Sequence, residues 1–183
     1  MRTINRAESL QALKQLDLTN VKRKLREPSP EGKAWTEEQA NEAEKWYRRF
    51  MALVILEPQV VAVPNRPIDD FWHQHILDTR AYDKDCHAVF GEFLHHYPYF
   101  GLNGDAEQRD DSFDQTNAAY ERHWGENCMQ MSGFGFKPVA PCIAEPELAS
   151  FIASNCNSGG SGTGCGQGCG GGSKRALDAI HGG

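Results

Sequence analysis

Apolar side chains recur at helical spacing through the first third of the chain, and they predict three helices. Leucines spaced in this way mark a first helix over residues 5–16. A second, shorter helix begins at Thr19, a suitable N-cap, and ends before Pro28. The residues Thr36–Gln39 form a capping-box pattern, which predicts a long third helix that Pro58 ends.

Two further helices are predicted in the centre of the chain. Pro67 suits the first position of a helix that continues to Leu77. Asp78 or Thr79 can cap the next helix, which has the cleanest amphipathic pattern of the sequence. Its apolar stripe consists of Tyr82, Cys86, Val89, Phe90 and Phe93. Because His96 keeps the spacing of this stripe, we expect the same helix to carry it on the inward face.

A last helix is predicted over residues 105–124, and the pattern as a whole predicts an all-α fold. We expect an irregular bundle of about five to six helices over residues 1–130. An irregular segment with room for one short helix from Glu145 follows over residues 131–154. Residues 155–183 are rich in Gly, Ser and Cys, which predicts a disordered low-complexity tail.

The charge and the lengths of the apolar runs exclude several classes of function. The net charge of −6 does not favour nucleic acid as a partner. The apolar run Met51–Leu56 is too short to span a membrane, and the charged N-terminus is not followed by the apolar core of a signal peptide. We therefore expect a cytoplasmic protein, in which the six cysteines are thiols or metal ligands rather than disulfides.

Residues 66–101 hold five histidines and one cysteine, and this density predicts a transition-metal site for zinc or iron. The candidate ligands are His73, His75, Cys86 and His96, with Asp69, Trp72, Asp85 and Tyr82 expected to orient them. Residues two apart on a helix are separated by about 200° of rotation, so His73 and His75 cannot both reach one ion. The best-converging set is one of these two with Cys86 and His96. The alternative is that the histidines make ordinary core hydrogen bonds and Cys86 is a small buried residue.

No enzyme class is indicated by the sequence. Cys86 lies in an apolar stripe beside Asp85, and both surroundings raise the pKa of a thiol, which disfavours a nucleophilic cysteine. The chain contains no HExxH, P-loop, GxSxG or dinucleotide-binding pattern. The sequence leaves catalysis open but favours a protein that is not an enzyme.

The central motif resembles the signature of the glycine-rich domain-containing protein-like family. The resemblance is carried by Asp70–Leu77, with its Trp-His-Gln-His core, by Tyr82–Cys86 and by Phe90–Gly91. It covers the central third of the chain and the plan of a helical domain before a Gly/Cys-rich tail. The resemblance implies a fold and a set of residues rather than an activity.

The tail supports a second hypothesis about function. Cys156, Cys165 and Cys169 are embedded in glycine, and three such thiols can bind a soft metal ion. The segment also resembles the cores of thiazole- and oxazole-modified peptides of the microcin type, in which Cys and Ser next to Gly are cyclised. On this hypothesis the chain is a non-enzymatic interaction or precursor protein, and a protein partner or modifying enzyme acts on its tail. A tail without any chemistry is the third interpretation.

Overall fold

The computed structural model describes residues 5–135, 139–140 and 142–146, and these residues form six α-helices, one 3₁₀ turn and a two-stranded sheet. The elements are α1 (Arg6–Gln15), α2 (Thr19–Arg26), α3 (Glu37–Leu56), α4 (Arg66–Leu77), α5 (Thr79–Val89), β1 (Leu94–Tyr97), α6 (Ala106–Trp124), the 3₁₀ turn Cys128–Gln130 and β2 (Ile143–Pro146). The prediction of a mainly all-α bundle is confirmed. None of the helices formed by the described residues is both long and apolar enough to cross a bilayer. The predicted tail lies outside the described residues.

Side-chain caps fix where most helices begin. The Thr36 hydroxyl accepts the Gln39 N–H at 3.2 Å, and the Gln39 side chain accepts the Thr36 N–H at 2.9 Å, which confirms the predicted capping box. Asp78 caps α5, as predicted. The prediction that Thr19 caps α2 is wrong, because Thr19 is already the first helical residue and its N–H donates to the Asp17 carboxylate at 3.1 Å.

The core is built around α3, which packs against α1, α2, α4 and α6. Its buried face is aromatic: the Trp46 ring lies 5.2 Å from Tyr120 on α6, and the Phe50 ring lies 5.2 Å from Trp72 on α4. These four side chains are fully buried. Burying one such aromatic side chain contributes about 1.5–3 kcal/mol, so these contacts hold α4 firmly in place.

The helix α5 ends earlier than the sequence predicts. It stops at Val89, and Gly91 has φ 79°, a left-handed conformation that glycine adopts without steric cost. The chain turns there and continues as β1, so the prediction that His96 lies on a continuation of the helix is wrong. In the strand, neighbouring side chains alternate between faces, which leaves His95 exposed and His96 mostly buried.

The C-terminal part of the described chain runs between β1 and the connector that precedes α4. In the antiparallel pair, His96 is opposite Ala144. On the other side, Ala144 N–H donates to Ala62 O at 3.3 Å and Ala140 N–H donates to Pro64 O at 3.0 Å. Cys142 is therefore held close to both β1 and the start of α4. The first residues of the predicted short helix, from Glu145, lie in β2, and the rest of that segment lies outside the described residues.

Candidate metal centre

Asp69 is the centre of a buried polar cluster. It lies in the first turn of α4, where a carboxylate is favoured by the helix dipole, and Asn65 caps this helix. One of its oxygens, Oδ1, is 3.0 Å from His96 Nε2 on β1 and 3.0 Å from Cys142 Sγ, next to β2. The side chain of Asp69 is 2% exposed and that of His96 is 9% exposed. Three separate parts of the fold therefore meet at one carboxylate oxygen.

The three side chains offer one oxygen, one nitrogen and one sulfur atom, and these atoms all lie within 4.8 Å of one another. Among the residues that the structure describes, no other group of three His, Cys, Asp or Glu side chains brings its ligand atoms so close. Imidazole, thiolate and carboxylate are all first-row transition-metal ligands. The arrangement can act as a three-ligand metal site or as a hydrogen-bonded cluster.

The second oxygen of Asp69, Oδ2, has two basic side chains as neighbours. It is 3.4 Å from a terminal nitrogen of Arg66 and 3.6 Å from His73 Nδ1. Both of these side chains are about half exposed, at 52% and 47%. The ring centroids of His73 and His96 are 4.4 Å apart. The Asp69 carboxylate therefore lies between two buried side chains, His96 and Cys142, and two half-exposed basic side chains, Arg66 and His73.

The surroundings shift the pKa values of this cluster in different directions. Burial alone would raise the pKa of Asp69, but the hydrogen bonds from His96 and Cys142 and the positive charges of nearby imidazoles outweigh it and lower the pKa. Burial, followed by the negative charge of Asp69, raises the pKa of the Cys142 thiol. Burial also lowers the pKa of His73, although Asp69 opposes that shift. In the metal-free protein Cys142 is therefore a thiol that donates to an ionised Asp69.

A second buried network lies on the other side of α4. His75, which is 1% exposed, has its Nδ1 at 3.0 Å from the Tyr47 hydroxyl and its Nε2 at 3.2 Å from Asp85 Oδ2. A carboxylate only accepts hydrogen bonds, so Nε2 carries the proton and the Tyr47 hydroxyl donates to Nδ1. Burial lowers the pKa of His75, and Asp85 opposes the shift. Both nitrogens of this imidazole are fully used within the protein.

Cys86 belongs to neither of these donor sets. It is fully buried, and burial, with a smaller contribution from Asp85, raises the pKa of its thiol, as the sequence predicts. Beside it, Trp72 Nε1–H donates to the Tyr82 hydroxyl at 2.9 Å, and that hydroxyl donates to Leu94 O. Tyr82 thereby links α4, α5 and β1. These contacts describe a packed core.

A protein-family model matches residues 8–132, which is more than half of the chain. The chain belongs to the UCP032817-like family. The matched residues include Asp69 and His96 and end before Cys142. No curated protein and no solved structure matches the chain.

Within this UCP032817-like chain, the sequence-predicted residues divide between the two networks. His73 and His96 lie side by side at Asp69, which is the common partner of both. His75 and Cys86 lie elsewhere, so the described residues do not bring the four predicted ligands to one point. The tail cysteines lie outside the described residues, namely Cys156, Cys165 and Cys169.

Cys142 is the site residue that the sequence-based prediction does not include. Its signal is the short apolar run Val139–Ala144, which contains β-branched residues and is compatible with a buried strand. A cysteine in such a run is a candidate partner for the histidines. The pairing itself depends on the β1–β2 register, which a run of four residues in an otherwise helical chain does not specify.

Proposed function

We propose that the protein binds one divalent transition-metal ion, zinc or iron(II), through Asp69 Oδ1, His96 Nε2 and Cys142 Sγ. The single observation that supports this function is the convergence of three different ligand types within 4.8 Å in the interior of the protein. A thiolate in the set favours zinc or iron over magnesium and calcium, which take oxygen ligands.

The distances between the donors suit a metal ion. Ligand atoms at about 2.0–2.3 Å around a tetrahedral zinc ion lie about 3.3–3.8 Å from one another. The two contacts at Asp69 Oδ1 are 3.0 Å long in the metal-free cluster, so the ligands have to separate by less than about 1 Å. All three ligand atoms lie within 4.8 Å of one another, so the third pair is also close to this range.

Metal binding replaces the protons that now hold the cluster together. In the metal-free protein, His96 Nε2–H and the Cys142 thiol both point at Asp69 Oδ1. The imidazole can move its proton to Nδ1, whereas the thiol must release its proton to become a ligand. We therefore expect affinity for the metal to rise with pH, as it does at other sites that contain a cysteine ligand.

Replacing single cysteines tests the proposal. After incubation with one equivalent of metal and removal of the excess, elemental analysis should find about one zinc or iron ion per chain. The cobalt(II) form should show the charge-transfer absorption of a cobalt–thiolate bond. Cys142→Ser should lose this absorption and most of the bound metal. Cys128→Ser is the matched control, because Cys128 is also fully buried but its sulfur lies 3.1 Å from Asn117 Oδ1, outside the cluster.

The proposal is wrong if the wild-type protein binds no metal, or if Cys142→Ser binds it with unchanged stoichiometry and spectrum. Asp69→Asn supplies a second test, since an amide keeps the shape of the side chain but is a poor ligand for these ions. The likeness of the central motif to the glycine-rich domain-containing protein-like family and the roles of the tail stay predictions. A protein partner or modifying enzyme would act on residues outside those that the structure describes.

A further inference from the structure

We infer that the metal keeps a coordination position open toward the solvent side of Asp69, and that this position takes a small oxyanion, a carboxylate or a phosphate, held by Arg66. The inference rests on the proposed metal site and names what that site binds. It follows from the different neighbours of the two Asp69 oxygens, from the number of protein ligands and from the charge of the site when the metal is bound.

The described part of the chain supplies three ligands to the proposed metal, one fewer than a closed zinc site has. Structural zinc sites are closed by four protein ligands, whereas sites that act on other molecules have three and one open position. The described residues bring three ligand atoms together at Asp69, His96 and Cys142. His73 is the nearest further imidazole, but its Nδ1 points at Asp69 Oδ2, 3.6 Å away, on the other oxygen of the carboxylate.

The two oxygens of Asp69 have neighbours of different exposure. His96 and Cys142, which contact Oδ1, are 9% and 1% exposed. Arg66 and His73 flank Oδ2 and are both about half exposed. We therefore place the open position on the side of these two basic side chains.

Arg66 supplies the positive charge that an anion bound at the metal needs. A divalent ion with one carboxylate and one thiolate is neutral, so a bound anion brings a negative charge that needs a nearby cation. Arg66 is that cation: its guanidinium lies 3.4 Å from Asp69 Oδ2 and 3.8 Å from Asp70 Oδ1. Asp70 has a closer partner in Lys33, at 2.9 Å. Once the metal neutralises Asp69, the planar fork of Arg66 is available for an oxyanion.

Anion titration of the cobalt(II) protein tests the inference. Acetate and inorganic phosphate are added separately, and the visible spectrum of the bound cobalt is followed. Each anion that enters the coordination sphere should change the spectrum in a saturable way, and comparison of the two distinguishes a carboxylate site from a phosphate site. Arg66→Gln should bind cobalt with unchanged stoichiometry but bind the anion about tenfold or more weakly, since a charge-assisted contact is lost.

Two variants complete the design. Arg66→Lys keeps the charge without the fork and should recover part of the affinity for the anion. Arg80→Gln is the matched control, because Arg80 is exposed on α5, away from the cluster, and should leave anion binding unchanged.

The outcomes separate this inference from the metal site itself. If the wild-type protein binds no cobalt, the metal site and the inference both fail before any anion is added. If cobalt binds but neither anion changes its spectrum, the site is closed and the inference is overturned. A spectrum that responds to anions only after His73→Ala would also overturn it, since His73 would then be the fourth ligand. Equal anion affinity in wild type and Arg66→Gln would overturn the role of Arg66.

Discussion

The two buried histidine networks both include residues of α4, but they differ in whether their polar atoms remain available to a ligand. His75 is held by Tyr47 and Asp85, and each of its ring nitrogens has one partner of oxygen type. His96 shares Asp69 with a cysteine, and the same carboxylate faces two half-exposed basic side chains. The first network cross-links helices, whereas the second brings together candidate metal ligands beside two half-exposed basic side chains.

The difference shows that a dense histidine motif need not be one site. His73 and His75 are two residues apart on α4, so they point to different sides of the helix, as the sequence predicts. One side is buried against α3 and α5, and the other meets the sheet. His75 is buried with an oxygen partner at each ring nitrogen, which gives it a structural role. His96 is buried beside the thiol of Cys142 at the edge of the core, which makes this cluster the candidate metal centre.

The largest effect should come from removing the imidazole of the closed network. His75→Ala leaves the Tyr47 hydroxyl and the Asp85 carboxylate without their partner and creates a cavity, so the free energy of unfolding should fall by about 3 kcal/mol. Urea unfolding of the metal-free protein measures it. His87→Ala is the control: His87 is 57% exposed, and its loss should change stability by less than about 0.5 kcal/mol. A loss below about 1 kcal/mol in His75→Ala would contradict a structural role for this network.

The next effect is stabilisation by metal, which should depend on one network only. Zinc at about 100 times its dissociation constant should stabilise the wild-type protein by about 2.7 kcal/mol. Cys86→Ala should keep this gain, because Cys86 lies outside the proposed set, and Cys142→Ser should lose it. Thermal unfolding with and without zinc measures the difference. If Cys86→Ala abolishes the gain instead, the ligand set predicted from the sequence is the better one.

A smaller effect is expected at Tyr82, which contacts His75 directly and the His96 cluster only through Trp72. Its ring is 5.0 Å from that of His75, and its hydroxyl bonds Trp72, whose ring is 4.5 Å from that of His96. Tyr82→Phe leaves Trp72 Nε1–H and the carbonyl of Leu94 without this partner and should cost about 2 kcal/mol.

The exposed Tyr97 provides the matched control for this substitution. It is 36% exposed, and Tyr97→Phe should change the free energy of unfolding by less than about 0.5 kcal/mol. Urea unfolding of both variants makes the comparison. Equal losses in the two variants would show that the hydrogen bonds of the buried Tyr82 hydroxyl do not contribute to stability.

The smallest effect should be the pH dependence of stability. Burial lowers the pKa of His75 below its usual 6.5, against the opposing charges of Asp85 and Asp78, while Arg48 acts with burial. The unfolded chain then takes up more protons than the folded protein below about pH 6.5, so stability falls as the pH decreases through this range. His75→Gln should make the fall less steep in the metal-free protein, as measured by unfolding between about pH 7 and pH 5. An unchanged slope would show that His75 does not titrate in this way. His73, whose pKa is also lowered, should account for part of the remaining slope.

Much of the helical framework could be predicted from the chain alone. Helix boundaries depend on neighbours in sequence, such as the capping box of Thr36, the cap at Asp78 and the proline at the start of α4. The end of α5 was missed because the stripe of apolar residues continues past Gly91, and spacing alone does not reveal the left-handed conformation adopted there. Whether a glycine bends or ends a helix depends on what the following residues pack against.

The candidate site was predicted only in part, for a related reason. His73 and the orienting role of Asp69 come from local spacing on one helix. His96 comes from the density of histidines and from a continuation of α5 that the structure does not have. Cys142 is 73 residues from Asp69 in the chain, and no periodicity connects the two. Their contact exists because β2 pairs with β1 on one side, while Val139, Ala140 and Ala144 bond residues 62–65 before and at the start of α4 on the other.

The sequence by itself determined the helical class of the fold, most helix starts and the opposite directions of His73 and His75, since each is set by interactions within a few residues. The tertiary structure decided which carboxylate the imidazoles share, that Cys142 joins them and that Cys86 does not. Those outcomes depend on a strand register and on helix packing, which bring together residues that are far apart in the chain. Local sequence does not determine them, because burial and hydrogen bonding act on neighbours in space.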